Sequence, residues 1–322
     1  MKDIGVVFGG YSSEYEVSLK SGKFIIKNIK ENPDWNVYEI CISVERNFVK
    51  YRNKEYDLNF KNFNFIIDNR TIKLDAVYNI IHGDPGENGI LAEILEKNNI
   101  PQTACNSSVS KLTFNKKKYI EFTDKFNIPS SNQILLKIND PVNIEEILKK
   151  IKIPCIVKPN NGGSSIGLSK VNHFKELINK IEIAFEHGDE VLIEDFLSGQ
   201  EVSVGVIQKD NERIILPITE IISENEVFDY GAKYKGESEE ITPGNISPES
   251  KSKIYKYINT IYNNLKLKGI TRSEFIIVND TPHLLETNTI PGFTEQSIIP
   301  QQIDAFGLSV KEIINKQIES IL

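Results

Sequence analysis

Glu286 and Asn288 stand two residues apart after the apolar pair Leu284-Leu285, so strand alternation puts both on one face. Both are hard oxygen ligands of the kind Mg²⁺ prefers, and Mg²⁺ commonly joins one or two such groups to substrate phosphates. The chain then bends at Pro291-Gly292, where backbone N–H groups come free, and Thr294 and Ser297 add hydroxyls beyond the bend. Upstream, Ile270 to Ile276 reads as a strand whose Arg272 and Glu274 share a face. A hairpin turning at Asn279-Asp280 would set that pair beside Glu286 and Asn288. A carboxylate, an amide and free N–H groups at one strand end suit phosphate chemistry with a metal. The same stretch also suits a strand that ends in a polar turn.

A second constellation surrounds Lys158. Ile153 to Pro159 reads as a strand ending in that lysine. Asn160-Asn161-Gly162-Gly163-Ser164-Ser165-Ile166-Gly167 then leads into Leu168 to Val171 as a hairpin. Its N–H groups and hydroxyls can cradle phosphate oxygens, with Lys158 as a point charge. The loop lacks G-K-[ST], so it is not a Walker loop, and a flexible surface hairpin is the plain alternative. Val191 to Leu197 is a strand with Glu194 and Asp195 near its end, placed for the amino group and ribose of a nucleotide. Lys116, Lys117 and Lys118 lie on a helical stretch from Ser108 to Phe126. A lysine run is usually a solvated face, although one of these could reach a phosphate.

The elements that must position these groups begin with an α/β unit. Ile4 to Phe8 is a short buried strand, Gly9-Gly10 a turn, and a helix starts near Glu14. Such units bind ligands at the carboxyl ends of their strands. The turn is not G-x-G-x-x-G, so dinucleotide binding gains no support. Glu14 could hold a ligand ammonium, or serve only as a carboxylate favoured at a helix N-terminus. Residues 36–43, 63–67 and 75–81 read as further strands, the last running into His82-Gly83-Asp84-Pro85-Gly86-Glu87-Asn88-Gly89. That shaped loop precedes a helix from Ile90 to Lys97. His82 either contacts substrate or is structural. Later come a helix from His173 to His187, a strand from Glu201 to Val206, and a helix from Ser250 to Leu267. A closing helix starts at about Val310. Phe228 to Ile241 has little periodicity and reads as a loop over the site, a common form of lid.

Composition narrows the class. A length of 322 residues suggests two or three domains, and 39% hydrophobic with 26% charged residues makes a packed core feasible. The net charge of −7 argues against a general nucleic-acid or anionic-membrane binder. Cys41, Cys105 and Cys155 are few, odd in number and far apart, so they form neither a disulfide framework nor a zinc site. A reducing cytoplasm fits, Met1 is not followed by a signal segment, and no apolar run approaches the ~18 residues of a membrane span.

Taken together, the chain resembles the ATP-grasp superfamily and, within it, the D-alanine–D-alanine ligase family. The resemblance runs nearly end to end. It rests on Phe8-Gly9-Gly10 with Ser13-Glu14 and Glu16-Val17-Ser18, on His82-Gly83 with Gly86-Glu87, and on Lys158-Pro159 with Gly163 to Gly167. Asp229-Tyr230 with Ala232-Lys233-Tyr234, and Glu286-Thr287-Asn288-Thr289 with Pro291-Gly292, complete it. It implies an ATP-grasp fold of mixed α/β and α+β class: an N-terminal parallel α/β substrate domain (1–104), then a central module (105–190) and a C-terminal catalytic module (191–322) that sandwich ATP. A lid loop would span about 225–241.

The implied chemistry is ATP-dependent joining of two D-alanines through an acyl phosphate, for peptidoglycan precursor synthesis. Glu14 would hold the first ammonium, linked to Ser164 and Tyr234. Arg272 and the Gly292 N–H would stabilise the oxyanion. Lys116, Lys158 and Lys233 would neutralise phosphates. Glu274, Glu286 and Asn288 would bind Mg²⁺ or Mn²⁺. Ser297 would take the second carboxylate, with His82 and Glu87 lining the substrate side. Glu194, Phe196, Leu197 and Glu201 would hold adenine and ribose. The family also implies a homodimer that handles small molecules, with no nucleic acid and no membrane as partner. Departures from the common pattern are Glu274 for Asp, Asn88 for Asp and Gly231 for Glu. Other readings are a ligase joining D-alanine to D-serine or D-lactate, and a non-catalytic ATP-binding regulatory protein.

Overall fold

The computed structural model describes residues 1–210, 212–223 and 238–322. The expected lid residues Gly231, Lys233 and Tyr234 lie outside them.

Strand β1 (Lys2–Gly9) runs into helix α1 (Tyr15–Ile29) and then into β2 (Trp35–Ile42), parallel to β1. A parallel pair needs such a crossover, and α1 supplies it. It packs Ile25, Ile26 and Ile29 on the sheet. Hairpins follow: β3 (Phe48–Tyr51) with β4 (Lys54–Asp57), and β5 (Asn64–Ile67) with β6 (Arg70–Lys73). β7 (Ala76–Asn79) returns beside β1 in parallel, giving the order β4-β3-β2-β1-β7. The sheet is therefore mixed rather than all parallel. β3 and β4 lie on a sheet margin and bury only Val49 between them, so their apolar signal is weak. Helix α2 (Ile90–Lys97) covers β7 with Leu91 and Leu95.

The single helix expected over Ser108 to Phe126 is two, α3 (Ser107–Phe114) and α4 (Lys116–Asp124). Asn115 breaks them because it leaves the helical conformation and its side chain caps α4, accepting from the Lys118 N–H at 3.0 Å. The second sheet comprises β8 (Gln133–Lys137), β9 (Cys155–Pro159), β10 (Ser169–Val171) and β11 (Glu190–Asp195), in the order β10-β9-β11-β8. Helices α5 (Ile144–Lys150) and α6 (Leu177–Phe185) pack on it. β11 hydrogen-bonds to both β8 and β9, so this sheet extends past the boundary expected at 190/191.

The third sheet contains β12 (Gln200–Lys209), β13 (Glu212–Ile215), β14 (Thr219–Ser223), β15 (Ser238–Ile241), β16 (Thr271–Val278) and β17 (Thr281–Asn288). Its order is β15-β14-β12-β16-β17, with β13 paired to β12. Residues 238–241, expected in the loop, are thus an edge strand on β14. Helix α7 (Pro248–Leu265) buries Ile254, Ile258 and Ile261 against this sheet together with Val109, Tyr119 and Ile120 of α3 and α4. Helices α8 (Ile298–Ala305) and α9 (Val310–Glu319) close the chain, and α9 meets α1 in the first core.

One buried network fixes the β16/β17 hairpin from behind. The Thr287 hydroxyl of β17 hydrogen-bonds to Tyr119 of α4 at 2.5 Å and to Ser273 of β16 at 2.7 Å. Replacing it leaves two buried hydroxyls without a partner, at about 1–3 kcal/mol. Thr287→Val is therefore expected to lower the unfolding free energy by that amount in urea titrations; an unchanged midpoint and slope would show the network to be energetically idle.

Candidate active site

The β16/β17 hairpin turns at Asn279-Asp280 and sets Arg272 opposite Asn288 and Glu274 opposite Glu286. Pairs directly opposed on one face interact most closely, so four polar side chains from two strands converge. The register slips by one residue between Glu274 and Phe275, which makes Leu285 an extra residue on β17. Leu285 and Glu286 consequently both face the cleft between the second and third sheets. Simple alternation hides Leu285; nothing in the sequence marks the bulge.

That cleft has a volume of about 420 Å³. Ile156, Ile276, Leu285, Phe196 and Leu197 give it apolar walls, while Lys116, Lys158, Glu201, Glu274 and Glu286 give it charge. Lys170 also lines it, with its ammonium 3.9 Å above the Phe196 ring. Lys170 sits in a strand legible from sequence, but its facing depends on the hairpin register. Lys158 does not stand alone in the wall: it forms a buried ion pair with Glu194. The second Glu194 oxygen accepts from Gln133 at 3.0 Å and from Ser131 at 3.2 Å. The residue expected to hold adenine or ribose is thus engaged as the counter-ion that fixes Lys158.

Lys116 is held by backbone packing. Buried Asn160, at the end of β9, accepts from the Lys117 N–H at 2.9 Å, docking the start of α4 on the glycine–serine hairpin. The Lys116 ammonium then reaches the Gly162 carbonyl at 2.6 Å and the Glu286 carboxylate at 3.2 Å. Arg272 pairs with Glu274 at 2.6 Å. Glu274, Glu286 and Asn288 offer two carboxylates and an amide on adjoining strands, a hard oxygen set that fits a small divalent cation. Among the described residues no group of three His, Cys, Asp or Glu side chains stands ready to hold a metal.

A second cavity of about 680 Å³ adjoins the first and shares Gly163, Ser164 and Glu286 with it. Glu14, His82, Glu87, Arg272, Asn288, Gly292 and Ser297 all line it, as does Glu240 of the edge strand β15. The Ser164 hydroxyl donates to the Glu14 carboxylate at 2.5 Å. Gly163 makes that approach possible, since a Cβ there would lie 2.6 Å from a Glu14 oxygen. His82 has both ring nitrogens occupied within the protein, Nε2 with Ser21 at 3.1 Å and Nδ1 with the Ile290 carbonyl at 2.8 Å. Burial holds it neutral by pushing its pKa down. It ties α1 to the segment that carries Gly292. Ser297 is the residue before α8, so its hydroxyl sits where that helix's N–H groups favour an anion. It accepts from the Thr294 N–H at 2.9 Å.

A cleft of this size between two α+β sheets, opening onto a second, carboxylate-rich cavity, is the architecture of an ATP-grasp enzyme. The family model "D-ala D-ala ligase N-terminus" matches residues 3–105, and "D-ala D-ala ligase C-terminus" matches residues 122–319. A D-alanine–D-alanine ligase of Flavobacterium johnsoniae is 43% identical over 99% of both chains. The VanG D-Ala:D-Ser ligase structure from Enterococcus faecalis superposes with a TM-score of 0.88 at 30% identity, covering 100% of this chain and 99% of that one. The Bacillus anthracis D-alanine–D-alanine ligase solved with ATP superposes with a TM-score of 0.78 at 25% identity, over 100% and 96%. The chain belongs to the D-alanine–D-alanine ligase family.

Burial, reinforced by the nearby Glu14 charge, raises the Glu87 pKa to about 8, against the opposing N–H bond from Gly83 at 2.8 Å. An unfolded glutamate ionises near 4.5, so between that pH and about 8 the folded chain binds the extra proton. Stability then falls as pH rises through this window. Glu87→Gln removes the titration, so its melting temperature relative to wild type is expected to rise between pH ~5 and pH ~9. An equal difference at both pH values would contradict the assignment.

Proposed function

We propose that the protein joins two D-alanines into D-alanyl-D-alanine with ATP, supplying a peptidoglycan precursor. The observation that carries this reading is the junction of the two cavities at Gly163-Ser164 and Glu286. It lets the terminal phosphate of a nucleotide in one cavity meet a carboxylate held in the other. In this reading Glu14, steadied by Ser164, takes the ammonium of the first D-alanine. Its carboxylate oxygen attacks the terminal phosphorus of ATP, giving an acyl phosphate and ADP. The amine of the second D-alanine then forms the new C–N bond and phosphate leaves. Arg272 and the Gly292 N–H stabilise the intervening oxyanion, and Ser297 receives the acceptor carboxylate. Such phosphoryl transfer depends mainly on positioning and charge neutralisation.

Lys116 and Lys158 face the nucleotide cleft and neutralise phosphate charge. Glu274, Glu286 and Asn288 would hold Mg²⁺ or Mn²⁺, which when bound neutralises and aligns the phosphates. Lys233 and Tyr234 complete the proposed machinery from outside the described residues. Among the described residues no helix is long and apolar enough to cross a membrane. A homodimer acting in the cytoplasm is part of the same proposal.

The test is phosphate release with ATP and Mg²⁺ in the presence of D-alanine, L-alanine, D-serine or D-alanine plus D-lactate, with products identified by mass. D-alanyl-D-alanine from D-alanine alone is expected. A mixed product alone would transfer the reading to a D-serine or D-lactate ligase, a possibility raised by the likeness to VanG. Absence of any release would favour a non-catalytic role. Glu286→Ala is expected to cut turnover by roughly a hundredfold or more while the fold persists by circular dichroism; wild-type turnover in that variant would refute the metal assignment.

A further inference from the structure

We propose that Glu240 holds the ammonium of the second amino acid and thereby selects an amine acceptor over a hydroxy acid. The inference rests on the ligase reading above. Glu240 lies on β15, the edge strand of the third sheet, opposite Ile221. Its side chain lines the substrate cavity with Arg272, Gly292, Ser297 and Gln301.

The charge on this wall has little local compensation. Among the described residues Glu240 makes no ion pair, and its hydrogen bond from the Gln301 amide is long at 3.4 Å. Arg272 attracts it electrostatically but is paired with Glu274 at 2.6 Å. Burial raises its pKa, as expected of an anion that lacks a close cation. Other cavity carboxylates are already engaged: Glu14 with Ser164, Glu87 with the Gly83 N–H, and Glu286 with Lys116. Glu295 is exposed.

Position supplies the second argument. Gln301, which reaches Glu240, lies one turn along α8 from Ser297, and its N–H donates to the Ser297 carbonyl. An α-amino acid whose carboxylate sits at Ser297 directs its ammonium toward the wall that Glu240 and Arg272 form. That wall also carries the guanidinium assigned to the oxyanion, so the acceptor nitrogen is held beside the reacting carbon, which it attacks as the free amine once the ammonium has given a proton to solvent. A neutral hydroxyl in the same place gains far less from an anion than an ammonium does. D-lactate, the hydroxy analogue of D-alanine, is therefore disfavoured by charge.

Glu240→Gln keeps the shape and the Gln301 contact while removing the charge. The acceptor KM for D-alanine is expected to rise on the order of tenfold, as for the loss of a charge-assisted hydrogen bond. The share of D-lactate in the product should rise in direct competition. The donor half-reaction is read separately, by D-alanine-dependent oxygen exchange between the bridging and non-bridging β–γ positions of ATP. That exchange should change less than the acceptor KM. Glu240→Asp, which retains the charge, should recover most of the acceptor affinity and serves if the Gln variant fails to show an ATP-induced rise in melting temperature. An unchanged acceptor KM and product ratio would overturn the inference, as would an equal loss in the exchange and acceptor steps. Wild-type enzyme that gives no D-alanine-dependent phosphate release would instead sink the ligase reading, and the inference with it.

Discussion

Carboxylates outnumber cations around the substrate cavity: Glu14, Glu87, Glu240, Glu286 and Glu295 line it against Lys20 and Arg272 among the described residues. Bringing anions together away from water is unfavourable unless something positive is nearby. Three of these carboxylates have a device that tolerates the charge or removes it. Ser164 donates to Glu14, Lys116 reaches Glu286, and Glu87 keeps its proton through neutral pH. The cavity is thus suited to ligands that bring positive charge, such as amino-acid ammonium groups and a divalent cation.

The surrounding fold holds these groups in place against their repulsion. Three sheets meet there, and each positions part of the site. The first sheet delivers Glu14 at the start of α1 and His82 beyond β7. The second delivers Lys158 from within β9, clamped by Glu194. The third delivers the paired strands β16 and β17, fastened from behind by Thr287. Asn160 links two of these units by capping the approach of α4 to the hairpin. Side chains with both ends engaged lose little further freedom on ligand binding, which is how preorganisation aids catalysis.

Much of this was legible because it depends on local pattern. The apolar strand followed by glycines located β1 and the start of α1, and alternation with a turn at Asn279-Asp280 located the Arg272, Glu274, Glu286 and Asn288 face. What escaped depends on partners distant in sequence. The bulge that turns Leu285 into the cleft is a mismatch between two strands and cannot be read from either one. Glu194 looked like a nucleotide contact because its binding to Lys158 requires the β9–β11 pairing. Glu240 was hidden because a short edge strand with three acidic or polar residues has no apolar alternation. The break at Asn115 was visible in principle, since asparagine is a favoured N-cap, but the flanking apolar residues masked it.

The glycine–serine hairpin is the wall that both cavities share. Gly163 and Ser164 line both cavities, so ligands on its two sides would touch the same residues. Any rearrangement of that wall that improves one ligand's binding is felt by the other as a change in affinity. Thermodynamic reciprocity makes the two effects equal: whatever factor the nucleotide applies to the donor amino acid, the donor applies to the nucleotide. A compound that spans the hairpin would engage both sites as one bivalent ligand, gaining from effective concentration what neither half has alone.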